Sequence, residues 1–337
     1  RGAHKRNRRL QGAPGASCLP LELFLPVHTR YMSPGLPPEA DGAAGAAAQP
    51  AQGPPEAAGA AAFRRVHPLH YHQAFLAQGV RPDGRGLLRG RRAAASAAVV
   101  SSADGSAMAK LGQTTVLAGV QAVPTLPSEA EPGEGRVVIS LDQPLAGGER
   151  GGQARQEREQ SALSELLQRS AAGMVAAASL CIEEEKAVWE CRCTLHVLEA
   201  DGNLTDACLL AMLVALSDTA LPAVRFSTGE GEGEDGTARV VVVGSETAPL
   251  SLEHRVFGVS FGLLDGRLLL DPTAEEEALL STSFTLLLDS DGAFRGLHKP
   301  GGAPLDEATT RESLAAARKR LPALVAASSA KRAGLRF

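Results

Sequence analysis

Two hydrophobic periods divide the chain from Phe63 onward. Residues 188–199 alternate strictly: Trp189, Cys191, Cys193, Leu195 and Val197 on one face, Glu190, Arg192, Thr194 and His196 on the other. That period of two predicts a strand with one buried side, ended by Asp201-Gly202. The run from Thr205 to Ala220 is apolar almost all round (Leu209, Leu210, Met212, Leu213, Val214, Leu216), which predicts a helix enclosed between layers. Between about Arg155 and Ser179 the period is helical with one apolar side: Leu163, Leu166, Leu167, Met174 and Val175 oppose Arg158, Glu159, Glu165 and Arg169. Pro68–Leu76 reads as a short amphipathic helix, with Leu69, Phe75 and Leu76 available to pack.

Shorter runs predict the remaining strands. Ala97–Ser101 and Ala107–Leu111 flank an Asp104-Gly105 turn, followed by Thr114–Ala122 and Val137–Leu141. Later candidates are Val240–Val243, His254–Leu264, Gly266–Leu270, Ser283–Asp289 and Gly292–His298, with hairpin turns at Asp265-Gly266 and Asp291-Gly292. A helix from about Asp306 to Ser328 closes the chain. It packs through Leu314, Leu321, Leu324 and Val325, and Pro322 predicts a kink or two shorter helices. Strands then helices, twice over, define an α+β fold with a weak internal duplication.

Composition changes this picture in three places. The 337 residues are 44% hydrophobic but only 4% aromatic, so the core is built from Leu, Val and Ala. A formal net charge of −4 excludes a chain-wide field that draws in nucleic acid, and any such contact needs a local patch. Residues 1–62 differ from the rest: a basic start (Arg1, Lys5, Arg6, Arg8, Arg9) leads to an Ala/Gly/Pro/Gln stretch too poor in apolar surface to order, so this segment is expected to be a disordered tail. The expected organisation is a tail over 1–62, one half over 63–225 and a second over 226–337, which includes an acidic glycine-rich loop at 229–237. A basic-tail RNA adaptor is a distant alternative. The five cysteines (Cys18, Cys181, Cys191, Cys193, Cys208) lack metal-ligand spacing and read as reduced, mostly core groups. His67, His70 and His72 read as packing or surface residues, not as a metal site. No apolar run is long enough to span a bilayer.

Several segments carry a family resemblance. Arg81-Pro82-Asp83-Gly84-Arg85 resembles the opening signature of the ribonuclease PH family, as do Asp104-Gly105-Ser106 and Lys110-Leu111-Gly112-Gln113-Thr114-Thr115-Val116. Further matches are His196-Val197-Leu198-Glu199-Ala200-Asp201-Gly202-Asn203, Asp271-Pro272-Thr273-Ala274-Glu275-Glu276-Glu277 and Leu297-His298-Lys299-Pro300-Gly301-Gly302. The chain is most similar to the ribonuclease PH-like subunits of the eukaryotic RNA exosome ring. The resemblance implies a ribonuclease PH fold: duplicated βαβα-like halves of the ribosomal protein S5 domain 2-like type. It implies a hetero-hexameric ring of related subunits around a channel for single-stranded RNA. It also implies S1/KH cap subunits, an associated processive 3′-to-5′ nuclease, and work in rRNA maturation and mRNA turnover in nucleus, nucleolus and cytoplasm. No cofactor, metal or membrane is implied.

Phosphorolysis needs a held phosphate, a 3′-terminal bond in line with it, and an acid for the leaving oxygen. Active family members carry Gly-Arg-Ser/Thr at the phosphate turn. Here the stretch reads Gly151-Gly152-Gln153-Ala154-Arg155-Gln156-Glu157, and it also lacks the Lys-Ser/Thr of a triphosphate loop. Asp201 matches the family's acid-bearing Asp-Gly turn, but Asn203 and Asp206 replace the small residues usual after it. The expectation is a non-catalytic subunit with Asp201 vestigial; the alternative is an active phosphate-dependent 3′-to-5′ exoribonuclease. Arg150, Arg155 and Arg158 are the candidate RNA contacts by resemblance, set against a solvated helix start with ordinary ion pairs. Arg81 and Arg85 are expected to serve the fold, for example by pairing Asp83. Arg89, Arg91 and Arg92 read as surface charges, and Lys299 as a contact to a neighbour or to nothing.

Overall fold

A computed structural model describes residues 55–143, 150–227 and 239–329. The first sheet uses β1 (Ala93–Ala97), β2 (Gly105–Leu111), β3 (Thr114–Thr125), β4 (Arg136–Asp142), β5 (Cys181–Glu183) and β6 (Ala187–Glu199). Its order is β1-β2-β3-β6-β4, with β5 paired to β6. Every pairing is antiparallel except that of β4 with β6, which is parallel. A parallel pair needs a long crossover, supplied by helix α3 (Arg150–Met174) and a 3-10 turn at Ala177–Leu180.

The second sheet is antiparallel throughout. It uses β9 (Val256–Leu264), β10 (Arg267–Leu270), β11 (Thr282–Asp289) and β12 (Phe294–His298), in the order β10-β9-β11-β12. A ribbon of β7 (Ala220–Ser227) with β8 (Arg239–Pro249) lies between the halves in sequence. The remaining helices are α1 (Pro55–Val66), α2 (Pro68–Leu76), α4 (Leu204–Asp218), α5 (Ala274–Glu277) and α6 (Glu307–Ser328).

The all-apolar α4 occupies the place its composition requires. It packs on β1, β2 and β3 of one sheet and on β9 of the other, and residues 206–216 are all buried. Helix α6 joins it against β1, β9 and β11. One hydrophobic core therefore runs through both halves, from Val116, Cys193 and Leu195 through Leu209, Met212 and Leu213 to Phe261, which stacks on Phe284 at 5.5 Å. Burial pushes the Cys191 thiol up to about 11 and those of Cys193 and Cys208 up to about 12, so these cysteines pack as small apolar groups.

The structure departs from the sequence reading at several points. Asp104-Gly105 is not a hairpin turn: β1 ends at Ala97, β2 begins at Gly105, and the connection runs over 98–104. Ser106 and Asp218 organise that loop, through Val100 N donating to Ser106 Oγ at 2.9 Å and Ala98 N donating to the Asp218 carboxylate at 3.1 Å. Asp104 turns instead to β3, accepting from Ala122 N at 2.8 Å. Pro322 lies inside one continuous helix, not between two. Helix α3 spans 150–174, so it starts ahead of the Arg155 predicted from the period, takes in Gly151 and Gly152, and ends short of Ser179. Helix α1 begins within the stretch expected to be disordered, where Ala-rich sequence favours a helix. Residues 1–54, with Cys18, and the acidic loop at 229–237 lie outside the described residues. No described helix is long and apolar enough to cross a membrane.

Candidate functional site

Three of the sequence motifs, far apart along the chain, meet at the N-terminus of α4. The turn at 81–85 closes through Arg81 N donating to Arg85 O and Gly84 N donating to Arg81 O, both at 2.9 Å, while Arg85 pairs with Asp83 at 2.5 Å. Arg81 then points inward and is 1% exposed. Its guanidinium donates to Asp271 O at 3.2 Å, to Glu276 at 3.3 Å, and to the carbonyls of Leu87 and Leu270. Glu276 is fixed by its own helix start, where Thr273 N donates to it at 2.9 Å in a capping box.

Arg91 joins the halves. It grips Asp271 bidentately, Nε to Oδ2 at 3.1 Å and Nη2 to Oδ1 at 2.8 Å, and its backbone N–H adds a 2.6 Å bond. The same guanidinium donates to Asp201 O at 2.6 Å, Gly202 O at 3.2 Å and Pro272 O at 3.3 Å. Burial alone would raise the Asp271 carboxyl; the hydrogen bonds and charge of Arg91, with Asn203, overcome that and hold it below the ordinary carboxylate range.

Asn203 completes the turn. It sits at φ +53°, caps α4, and donates from Nδ2 to Asp206 at 2.8 Å and Asp271 at 2.7 Å. Its backbone N–H donates to Glu277 at 2.7 Å. Asp206 also accepts from Ser260 N at 3.0 Å and Ser260 Oγ at 2.7 Å, yet burial pushes its carboxyl up to about 6. Burial likewise pushes Glu277 up to about 7, and the nearby charge of Glu159 on α3 adds to the rise.

Asp201 is only partly buried, its side chain 39% exposed, with one oxygen 3.4 Å from Arg91. Its N–H donates to Thr114 Oγ1 at 3.1 Å, and that hydroxyl donates to Gly202 O at 2.7 Å. Chemically this is a self-neutralising network. Arg81, Arg85 and Arg91 are bound to the chain's own carboxylates and carbonyls, and Arg320 donates to Arg91 O. Among the described residues, α3 brings the acidic Glu159 toward Glu277.

The predicted site residues are distributed accordingly. Asp201 lies in the network. Arg150 and Arg155 lie on the first turns of α3, where only the backbone is described, and Arg158 is exposed one turn further on. Arg91, expected at the surface, is 8% exposed and central; Arg89 and Arg92 are exposed. Nothing local marked Arg91, because its partner lies 180 residues away. The available signal was Asp271, an acid directly after three leucines, which demands a cation. Lys299 closes its own turn, donating to Gly301 O at 2.7 Å and Gly302 O at 3.0 Å. His72 is buried on the Pro68 carbonyl at 2.8 Å, whereas His67 and His70 are exposed.

The fold is that of ribonuclease PH, and comparison with known proteins places the chain within it. Residues 89–222 match domain 1 of the 3′ exoribonuclease family, and residues 254–320 match domain 2. The chain belongs to this family. It is 31% identical to the exosome complex component Rrp42 of Methanosarcina acetivorans over 244 residues, covering 71% of this chain and 85% of that protein. It is 29% identical to the exosome complex component rrp43 of Schizosaccharomyces pombe, covering 77% and 94% of the two chains. A solved structure of the Archaeoglobus fulgidus exosome with RNA bound to the active site superposes with a TM-score of 0.60 at 28% identity, covering 74% of this chain and 94% of that one.

Proposed function

We propose that this protein is a non-catalytic ring subunit of an RNA exosome. It scaffolds a hetero-hexamer of ribonuclease PH-like subunits and lines part of a channel for single-stranded RNA in 3′-to-5′ processing and decay. S1/KH cap subunits sit on the ring, a processive nuclease does the cutting, and the assembly works in nucleus, nucleolus and cytoplasm. The observation that carries the catalytic half of this reading is the network around Asp201. Phosphate needs accessible, uncommitted cationic donors, whereas Arg81, Arg85 and Arg91 are bound internally, the unpartnered Arg81 Nε and Arg85 Nη2 are buried, and among the described side chains of α3 the one whose charge reaches Glu277 is the acidic Glu159. The ring role draws on the family relationship and on exposed apolar side chains suited to neighbours: Phe63, Val66 and Leu69 on the first helices and Val138 on the edge strand β4. Arg158, with Arg150 and Arg155, contributes charge to the RNA path without reading bases.

The deciding assay is phosphate-dependent RNA degradation by the reconstituted ring, with and without Asp201→Asn. Unchanged rates are expected. A large loss would mean that Asp201 supplies the acid and that the chain is an active phosphorolytic exoribonuclease.

A further inference from the structure

Helix α3 presents a different environment along its C-terminal half, about two to three turns beyond Glu159. A cavity of about 340 Å³ opens there between the helix and the second sheet. Leu166, Val256 and Leu287 form apolar wall, and Arg169 and His298 stand at the polar side. Ser170 also lines it. This serine is 7% exposed, and its hydroxyl has no hydrogen-bond partner among the described residues.

That orphan is unusual within this protein. A helical serine commonly returns its hydroxyl to the carbonyl four residues back. Ser161 does so to Glu157 O at 2.8 Å, Ser217 to Leu213 O at 2.7 Å and Ser313 to Thr309 O at 2.6 Å. Ser170 does not, and a buried unsatisfied hydroxyl costs about 1–3 kcal/mol unless something completes it.

The cations at the cavity differ in their commitments. Arg295 is fully engaged: it pairs with Asp289 and donates to His254 Nδ1 at 2.9 Å. That donation leaves the 3.3 Å approach of the same nitrogen to Asp289 without a proton of its own. Arg169 is held loosely, 3.8 Å from Glu165 with both side chains more than half exposed, and such a pair is worth little. His298 is drawn below its ordinary value by burial and by the nearby Arg169 guanidinium, against an opposing pull from Glu165. Two donors that disfavour each other's charge thus flank an unsatisfied hydroxyl beside an apolar wall.

We propose that this cavity binds a small phosphate monoester of nucleoside-monophosphate size, with the phosphate on Arg169, His298 and Ser170 and the planar body against Leu166 and Leu287. Three donor-bearing side chains lining one cavity match the three terminal oxygens of a monoester better than the two of a carboxylate. The volume is at the small end of ligand clefts, and apolar walls with a few placed polar groups are their usual make-up. A bound dianion reverses the local field at His298, so that its ring holds a proton more tightly when the site is filled. Among the other charged groups facing the ring region, Arg295, Asp289 and His254 stay paired as described, and Glu165, which gives up its loose contact with Arg169 to the phosphate, already pulls His298 upward, so the sign is unchanged.

The test is titration of the full-length chain with adenosine 5′-monophosphate, adenosine and inorganic phosphate, by calorimetry and by the NMR signal of the His298 ring. The expected result is saturable binding of the monophosphate, tighter at pH 6 than at pH 8, with the His298 titration moved upward. Arg169→Gln is expected to weaken it about tenfold or more, the loss of one charge-assisted contact. Ser170→Ala is expected to weaken it severalfold while leaving thermal stability unchanged or higher, since it removes an unpaired hydroxyl. No binding at millimolar monophosphate overturns the proposal, as does adenosine or phosphate alone binding equally well. Affinity indifferent to both substitutions overturns it too.

Discussion

Two Asp-Gly turns in this chain look alike in sequence and do different work. At Asp265-Gly266 both residues have positive φ (+53° and +72°), as a tight hairpin between β9 and β10 requires, and a Cβ on Gly266 would meet nothing within 4 Å. At Asp201-Gly202 the glycine also has positive φ (+73°), but a Cβ there would lie 2.5 Å from Ala274 N and from Thr273 C. The first turn is a local solution to reversing a strand. The second is a joint, where the end of β6 and the start of α4 press against the backbone of the other half. An aspartate in such a joint is explained by the junction before any chemistry is invoked.

The contrast is sharpened most by removing the cation that holds the joint. Arg91→Met leaves buried Asp271 with only Asn203, the backbone N–H of position 91 and a 3.4 Å contact to Arg85 in place of its bidentate partner and is expected to destabilise the chain by about 3–5 kcal/mol, read as a lowered urea midpoint. Gly202→Ala adds the positive-φ penalty to a backbone clash and is expected to cost about 2–4 kcal/mol. Gly266→Ala carries only the first of these terms, about 1 kcal/mol. Equal losses at the two glycines would abolish the distinction between joint and hairpin.

Acidity provides the gentlest probe. Glu277, pushed up to about 7 from 4.5, and Asp206, pushed up to about 6 from 3.8, bind a proton more tightly folded than unfolded. Their contribution is therefore fully present below their unfolded values and is lost as pH rises, over 4.5–7 for Glu277 and 3.8–6 for Asp206. Asp271 has the opposite sign: held low in the folded chain, it stabilises above its unfolded value of 3.8, and that gain is lost as pH falls. Glu277→Gln keeps an acceptor for Asn203 N–H and removes the ionisation. Because the Glu277 side chain is exposed and water screens its charge, it is expected to become more stable than the parent above pH 7 by less than about 1 kcal/mol, with little difference at pH 4. A difference independent of pH would show that Glu277 is not titrating in this range.

Legibility in the sequence followed the range of the interactions. Helix α2 was found at its observed limits, and β6 and α4 to within a residue or two at each end, because a buried face writes its period locally. The loop at 98–104 was misplaced because its geometry depends on Asp218, 120 residues from Ala98. Pro322 was over-read: it sits late in α6, where burial of Ser313, Ala317, Leu321 and Leu324 along the same helix holds the chain together across it. The motifs at 81–85, 196–203 and 271–277 were each visible, but their meeting was not.

By itself the sequence determined most of the longer elements, the apolar layer between the sheets and the family, since each depends on residue order within a few turns or on motif identity, while β5, β7, α1 and α5 left no such mark. Only the tertiary structure decided that Arg91 is buried, that Asp201 belongs to a joint between halves, and that Ser170 is left without a partner beside a cavity. Those facts depend on which charges and hydroxyls find one another across 100 residues or more, or fail to, and a one-dimensional pattern carries no information about that distance.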